Sequence, residues 1–294
     1  MNYYRVLDCV LDKKFIRTTP EHCLEYHKNN LAIFEDILKN PTLYGVLRKI
    51  VFMFNYGSWN YGLETENSDL DIICVVMPTA ADLLDIKEIK CKEHQYPNGI
   101  IKEVDFRVFV NKIKKGKDTN LMEFFNSRYA YITDEAKTIV PEFYKSFFDY
   151  QKMNNVYCCN TLPLSYAYIG IAENLLDKHF TSSCVKSLAN ACVMSNKTYS
   201  LLKFKGLEDI TGTFKETKLH TLISIKKGEL SLDELNELLY QSIKNLKILR
   251  AMSSYLTDLR IPTNKEDLDD FMWVCEELFK GLFVRGVESD LYIY

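Results

Sequence analysis

The chain has 294 residues, of which 47% are hydrophobic and 26% charged, with a net charge of −3 at pH 7. This composition is typical of a soluble globular protein, and the length suits two domains or one large one. The slightly acidic balance excludes a strongly basic nucleic-acid-binding surface, so any contact with RNA or DNA has to be a local patch.

The cysteines and the apolar segments predict where the protein resides. Nine cysteines without regular spacing, including the adjacent Cys158 and Cys159, are typical of reduced thiols in a cytosolic protein. No window approaches ~18 uninterrupted apolar residues, so we expect no membrane span. The first residues, MNYYRVLDCVLDKK, lack the features of a secretory signal. We therefore expect a cytoplasmic protein with no membrane partner.

The first third of the chain predicts two helices and two strands. Apolar residues recur at helical spacing over residues 20–40, and Pro41 follows. A second helix is expected in TLYGVLRKI, leading directly into a strand at VFMFNY, residues 51–56. The next apolar run, DIICVVMP at 71–78, predicts a buried strand that Pro78 ends.

A third strand is predicted after a turn, and helices follow it. The turn Pro97-Asn98-Gly99 indicates a hairpin, and the segment IIKEVDFRVFV at 100–110 alternates between apolar and charged residues. From about residue 120 the apolar spacing is helical, and Ser231 with Glu234 forms a capping box. We predict an α+β fold, in which a short mixed sheet with flanking helices occupies residues 1–150 and an all-helical domain occupies 151–294.

The stretch GSWNYGLETENSDLDI, residues 57–72, places two carboxylates at the start of a buried strand. Residues two apart in a strand point to the same face, so Asp69 and Asp71 are expected side by side. Carboxylates that close repel each other unless a cation lies between them. Mg²⁺ prefers carboxylate oxygens together with substrate phosphates, so the pair predicts a metal site.

Two further features extend this site. Gly57 permits a tight turn after the preceding strand, and Ser58 with the N–H groups that follow can bind phosphate oxygens. Asp105 lies on the polar face of a strand that could pair with the first. Three carboxylates from adjacent strands would form a two-metal site. Taken singly, each feature has an ordinary structural interpretation: Asp-x-Asp is common in loops, and Ser68 can cap the turn at the strand entry.

These residues together resemble the DNA polymerase β-type nucleotidyltransferase superfamily. The resemblance rests on Gly57-Ser58, Gly62, Ser68-Asp69-Leu70-Asp71 and the later strand residue Asp105. It implies that Asp69, Asp71 and Asp105 are catalytic and hold two divalent ions, Mg²⁺ or Mn²⁺, around a nucleoside triphosphate. It also implies nucleotide contacts from Gly57, Ser58 and Ser68.

A narrower resemblance is to the RNA-repair-pathway nucleotidyltransferase branch, over about residues 50–205. It includes Gly57-Ser-x-x-Tyr-Gly-Leu63, the acidic residue Glu123 and Ser127 in LMEFFNSRYAYITDE, and SNKTYSLLK at 195–203. Through the last segment, Lys197 is expected to bind nucleotide, and Tyr199 to line the cleft. That branch carries Arg after Gly-Ser, whereas this chain has Trp59, which cannot grip phosphate bidentately. Packing under the loop is favoured for Trp59 over stacking on a base.

The expected function is metal-dependent transfer of a nucleoside monophosphate to an acceptor hydroxyl. The branch resemblance favours an RNA or tRNA end as the acceptor, and the basic run NKIKKGKD at 111–118 could guide it or be a solvated loop. A small molecule or a protein hydroxyl stays open as the acceptor. A non-catalytic nucleotide-binding protein with the same fold is the alternative from a different class.

Overall fold

The computed structural model describes the chain in segments. These are residues 24–61, 64, 68–84, 91–115, 118–127, 129–137, 142–143, 156–178, 183, 186–188, 190–191, 224, 227, 229–258, 272–273, 275–276 and 279. The strands are β1 (Ile50–Tyr56), β2 (Asp71–Val76), β3 (Lys92–Tyr96), β4 (Gly99–Asp105) and β5 (Ala130–Ile132). The helices are α1 (Leu24–Lys39), α2 (Ser58–Tyr61), α3 (Ala80–Leu84), α4 (Phe106–Lys115), α5 (Thr119–Met122), α6 (Asp134–Lys137), α7 (Val156–Asp177) and α8 (Leu232–Asp258).

The chain separates into two compact units. One contains Met1–Asn60, Ser68–Tyr150 and Lys265–Tyr294, and the other contains Tyr61–Asn67 and Gln151–Asn264. In the second unit α7 packs against α8. None of the helices in the described segments is both long enough and apolar enough to cross a bilayer.

The first unit is built on a five-stranded mixed sheet with strand order β3-β4-β2-β1-β5. The pairs β3–β4, β1–β2 and β1–β5 are antiparallel, whereas β2 and β4 run parallel. The prediction of an α+β fold around a short mixed sheet is confirmed. The hairpin predicted at Pro97-Asn98-Gly99 is also confirmed, because Tyr96 pairs with Gly99 across it.

Both faces of the sheet are covered, so β1 and β2 are almost fully buried. On one face, Phe34 and Ile37 of α1 pack with Met53, Ile72 and other apolar residues. On the other face the aromatic rings of Phe52, Phe54, Phe106, Phe109, Phe124 and Phe143 contact one another. Burial on both faces explains why these strands read as continuous apolar runs.

The predicted strand at 100–110 is wrong beyond Asp105, because α4 begins at Phe106. The apolar residues Phe106, Phe109, Val110 and Ile113 are all buried. Their spacing of i, i+3, i+4 and i+7 is helical, and it prevails over the alternation of Val104, Phe106, Val108 and Val110.

The predicted helix at 42–50 is also wrong. A short 3₁₀ helix, Pro41–Tyr44, ends at Gly45, which has a left-handed φ of 81°. A Cβ added to Gly45 would lie 2.5 Å from Nδ1 of His94, so both the conformation and the space require glycine. The chain then runs without helix to β1.

Candidate active site

The antiparallel register of β1 and β2 brings two of the predicted motifs together. Tyr56 pairs with Asp71. The Gly57–Ser58 turn, which follows Tyr56, therefore lies at the same end of the sheet as Asp69 and Asp71. Asp71 and Ser58 are half-buried, whereas Asp69 is exposed. The half-buried Ser68 immediately precedes Asp69.

Gly57 has a left-handed backbone conformation, with φ 81°. A Cβ added there would meet no atom within 4 Å among the described residues. Glycine is therefore required by the backbone conformation and not by a tight neighbour. As far as the described residues go, the space beside Gly57 is open to a ligand, which is consistent with the predicted close approach of a phosphate.

The amide of Gly57, however, points into the protein. Its N–H donates to Oε2 of Glu123 at 2.7 Å, and Nδ2 of Asn60 donates to the same oxygen at 2.9 Å. The Gly57 N–H is therefore already bonded within the chain. The N–H of Asn60 is also bonded within the chain, because it donates to Gly57 O at 3.0 Å. If this turn binds phosphate, it has to do so without these two N–H groups. Since α2 has only four residues, a helix dipole adds little here.

Trp59 joins the turn to the aspartate pair. Its side chain is 2% exposed and belongs to the core cluster on the α1 face of the sheet. Its indole N–H donates to the backbone carbonyl of Asp69 at 3.1 Å. The prediction that Trp59 packs under the loop is confirmed, and stacking on a base is excluded in this conformation.

The β3–β4 hairpin supports the aspartate pair from the other side. Leu70 N donates to Asn98 O at 2.8 Å, and the Tyr96 hydroxyl donates to Leu70 O. The N–H of Ile100 donates to Oδ1 of Asp71 at 3.3 Å. A Cβ on Gly99 would lie 2.5 Å from Leu70 O, so only glycine permits this close approach. The backbone between Asp69 and Asp71 is thereby fixed on both sides.

Burial and the nearby carboxylates raise the pKa values of two tyrosines here well above the usual value. For both Tyr56 and Tyr96 burial is the largest cause, followed by the charge of Asp71. Asp69 also raises the pKa of Tyr96, and Glu123 that of Tyr56. Both phenols therefore stay protonated near neutral pH, and the carboxylates around them make this end of the sheet negatively charged.

Asp105 does not join Asp69 and Asp71, and its predicted place beside them is wrong. Because β2 and β4 are parallel, Asp105 pairs with Val76, at the far end of β2 from Asp71. At ~3.3 Å per residue the separation along the strand is about 16 Å. The error arises because the apolar pattern of a strand does not show its direction relative to its neighbour.

Asp105 instead belongs to a buried ion network that the sequence did not reveal. Its carboxylate is fully buried and contacts Arg48 Nη1 at 3.1 Å and Arg107 Nε at 3.0 Å. Arg48 also pairs with the buried Glu103 at 2.6 Å, and its Nη1 lies 3.4 Å from Asp82. The available signal in the sequence was Glu103 and Asp105 in a largely apolar strand. Carboxylates buried in such a strand need a cation to pair with them.

The metal site predicted from sequence is therefore smaller than expected. No group of three His, Cys, Asp or Glu side chains within the described segments is arranged to hold a metal ion. Asp69 and Asp71 supply two carboxylates, and Mg²⁺ is commonly held by one or two carboxylates together with substrate phosphates. The residues present fit an ion that arrives with a triphosphate, and they do not fit a three-carboxylate cage.

The other predicted features lie at the periphery or outside the described segments. Lys197 and Tyr199 lie outside them. In the basic run, Lys112 is in α4 and donates to Asp118 at 2.9 Å. Among the described residues, Cys74, Cys91 and Cys275 form no disulfide bond.

A cavity of about 360 Å³ lies near the other end of the sheet. Its lining includes Phe106, Arg107 and Val110 of α4 with Met272, Cys275 and Phe279. Phe106 and Arg107 directly follow Asp105, and none of the residues predicted to bind metal or nucleotide is among the described lining. The cavity is therefore not part of the candidate site.

The comparisons with known proteins find similarity among solved structures. The chain matches no protein-family model and no curated protein. Among solved structures it is similar to a nucleotidyltransferase-like protein from Exiguobacterium sibiricum 255-15, with 9% sequence identity and a TM-score of 0.37. That match covers 86% of this chain and 92% of the other. A likeness of this size does not assign a family.

Proposed function

We propose that the chain is a metal-dependent nucleotidyltransferase that moves a nucleoside monophosphate from a triphosphate to an acceptor hydroxyl. The observation that carries the proposal is the pairing of Tyr56 with Asp71, which sets the Gly57–Ser58 turn and the Asp69–Asp71 pair at the same end of the sheet. The resemblance of these motifs to polymerase β-type enzymes supports the same reaction.

The two aspartates have the clearest role in this proposal. Asp69 and Asp71 would hold Mg²⁺, which supplies charge neutralisation of the triphosphate and activation of the attacking hydroxyl. Without a cation, these carboxylates would repel the triphosphate, so nucleotide binding should depend on Mg²⁺. Asp105 has no part in the reaction, because two arginines bind it at the far end of β2.

The turn supplies the phosphate contacts. Ser58 and the backbone N–H of Trp59 would bind phosphate oxygens beside Gly57, where a Cβ would meet none of the described residues. Ser68 and Lys197 are further proposed nucleotide contacts, from the resemblance. Most of the rate enhancement would come from positioning of the phosphate and neutralisation of its charge.

We infer an RNA or tRNA end as the acceptor, on the branch resemblance. The overall net charge of −3 favours a short footprint on the nucleic acid over a long one. A small-molecule or protein hydroxyl would use the same donor chemistry, so the acceptor has to be found by experiment.

The test is transfer of label from each of the four α-³²P-labelled nucleoside triphosphates, with Mg²⁺, into short RNA, tRNA and protein in parallel. The Asp69→Asn/Asp71→Asn variant should abolish transfer. Asp134→Asn is the matched control, because Asp134 is an exposed aspartate in α6, away from the end of the sheet that carries Asp69 and Asp71. Label that persists in the double variant would contradict the proposal.

A non-catalytic nucleotide-binding protein is the second candidate. It is favoured by the distance of Asp105 from the other two aspartates, which leaves two carboxylates where three were expected. Nucleotide binding without transfer to any acceptor would support this candidate.

A further inference from the structure

The Gly57–Ser58 turn rests on a buried carboxylate. Glu123 is 4% exposed and lies at the start of the 3₁₀ helix Glu123–Asn126. Its Oε2 accepts one hydrogen bond from the backbone N–H of Gly57, at the start of the turn. It accepts a second one from the side chain of Asn60, in the short helix α2 that follows. One carboxylate oxygen therefore holds both the Gly57–Ser58 turn and the helix α2 that follows it.

The surrounding hydrogen bonds tie this arrangement to β1. Asn60 Nδ2 also donates to the backbone carbonyl of Asn55 at 2.9 Å, and the Ser127 hydroxyl lies 2.8 Å from the same carbonyl. Asn55 Oδ1 accepts from Tyr129 N at 2.8 Å. Asn55, Asn60, Glu123, Ser127 and Tyr129 are all buried, so water does not compete for these bonds.

A negative charge at this place opposes the proposed ligand. By charge alone, Glu123 would weaken the binding of a triphosphate at the adjacent turn. A carboxylate does, however, accept stronger and shorter hydrogen bonds than a neutral group, and here it accepts two within the turn. Glu123 therefore contributes by holding the turn in position and not by attracting the ligand.

A role for Glu123 as a third metal ligand, in place of Asp105, does not fit the structure. Its Oε2 already accepts two hydrogen bonds within the protein and its side chain is buried. The described residues contain no group of three carboxylates arranged for a metal ion.

We infer that Glu123 is a positioning residue that holds the Gly57–Ser58 turn in the conformation that receives the triphosphate, with Asn60 as its second contact. This inference rests on the proposed function. It assigns to Glu123 no contact with substrate or metal.

The test compares Glu123→Ala with Glu123→Gln, using Mg²⁺ and the nucleotide that the wild type transfers. Alanine leaves the Gly57 N–H and Asn60 Nδ2 without their acceptor, so KM should rise on the order of tenfold to a hundredfold. Glutamine keeps one acceptor oxygen without the charge and should restore most of the loss. If glutamine were as defective as alanine, the charge itself would be required and the positioning role would be wrong.

Two further variants separate positioning from stability. Arg48→Met removes a cation that pairs with Glu103 and Asp105 at the far end of β2, away from Gly57, so Tm should fall while KM stays at the wild-type value. Asn60→Ala removes one of the two turn contacts and should raise KM by a smaller factor than Glu123→Ala. It serves as the decisive variant if Glu123→Ala does not fold.

The outcomes also separate this inference from the proposed function. A wild type that neither transfers label nor binds MgATP, by calorimetry, would overturn both. A wild type that transfers label, with wild-type KM in folded Glu123→Ala and Asn60→Ala, would overturn the positioning role alone.

Discussion

The indole N–H of Trp59 donates a hydrogen bond to the backbone carbonyl of Asp69 at 3.1 Å. This bond links the Gly57–Ser58 turn directly to the aspartate pair, although the two partners are ten positions apart in the chain. Because Trp59 is also in the core, the relative position of the turn and the carboxylates depends on the packing of the domain. The apolar core that packs on the sheet therefore also fixes the position of the candidate site.

Replacing Trp59 by Phe tests this link. Phenylalanine keeps an aromatic ring in the core but removes the N–H donor, so stability should fall by about 1–3 kcal/mol. Transfer activity should fall further than the folded fraction, because Asp69 loses its tie to the turn. Denaturant unfolding and kcat/KM measure the two effects. The matched control is Trp273→Phe, since Trp273 is 55% exposed and should be neutral in both measurements.

Replacing Gly57 by Ala should strain the backbone without a clash against any described residue. An L-residue at φ 81° costs about 1–2 kcal/mol, and the added Cβ would occupy the open space where a phosphate is proposed to bind. Stability should fall by that amount, and KM for the triphosphate should rise. Gly170→Ala is the control: it lies in α7, where alanine should stabilise by about 0.5–1 kcal/mol. Equal effects of the two changes would contradict this interpretation.

Arg48 is expected to be essential for stability and irrelevant to the chemistry. Its side chain is 10% exposed and pairs with Glu103 and Asp105, so Arg48→Met leaves two buried carboxylates without this partner. The free energy of unfolding should drop by about 3–5 kcal/mol. By comparison, Lys39→Met removes an exposed pair with Glu35 and should cost at most about 1 kcal/mol. An Arg48→Met protein as stable as wild type would show that the network is not formed.

The capping box of α8 predicts a pH dependence. Hydrogen bonds from the backbone N–H and the hydroxyl of Ser231 lower the pKa of Glu234 below its usual value. A lowered pKa in the folded state means that this contribution to helix stability is present above the usual carboxyl pKa and is lost as the pH falls through the folded value. NMR titration of the Glu234 carboxyl in wild type and in Ser231→Ala measures this effect. The pKa should rise in the variant, and an unchanged pKa would show that the box does not form in solution.

The sequence predicted the features that depend on neighbouring residues in the chain. Local patterns predict three of these features, and the structure contains each of them. They are the hairpin at Pro97-Asn98-Gly99, the Ser231–Glu234 cap, and the buried strands β1 and β2. The packing of Trp59 followed from its size and apolar character.

The features that the sequence did not predict depend on residues far apart in the chain. Asp105 was placed with the other aspartates because the pattern of β4 does not show that it runs parallel to β2. The pairing of Arg48 with Asp105 joins residues 57 positions apart. The hydrogen bond from the Gly57 N–H to Glu123 spans 66 positions.

The most direct test of the central claim is the position of a bound metal ion. A crystal of the protein grown with Mn²⁺ and a non-hydrolysable α,β-methylene triphosphate would show the ion by its anomalous scattering. We expect a peak coordinated by Asp69 and Asp71, with the triphosphate beside Gly57 and Ser58 and no metal at Asp105. Triphosphate bound elsewhere, or Mn²⁺ coordinated by Asp105 and not by the pair, would contradict it.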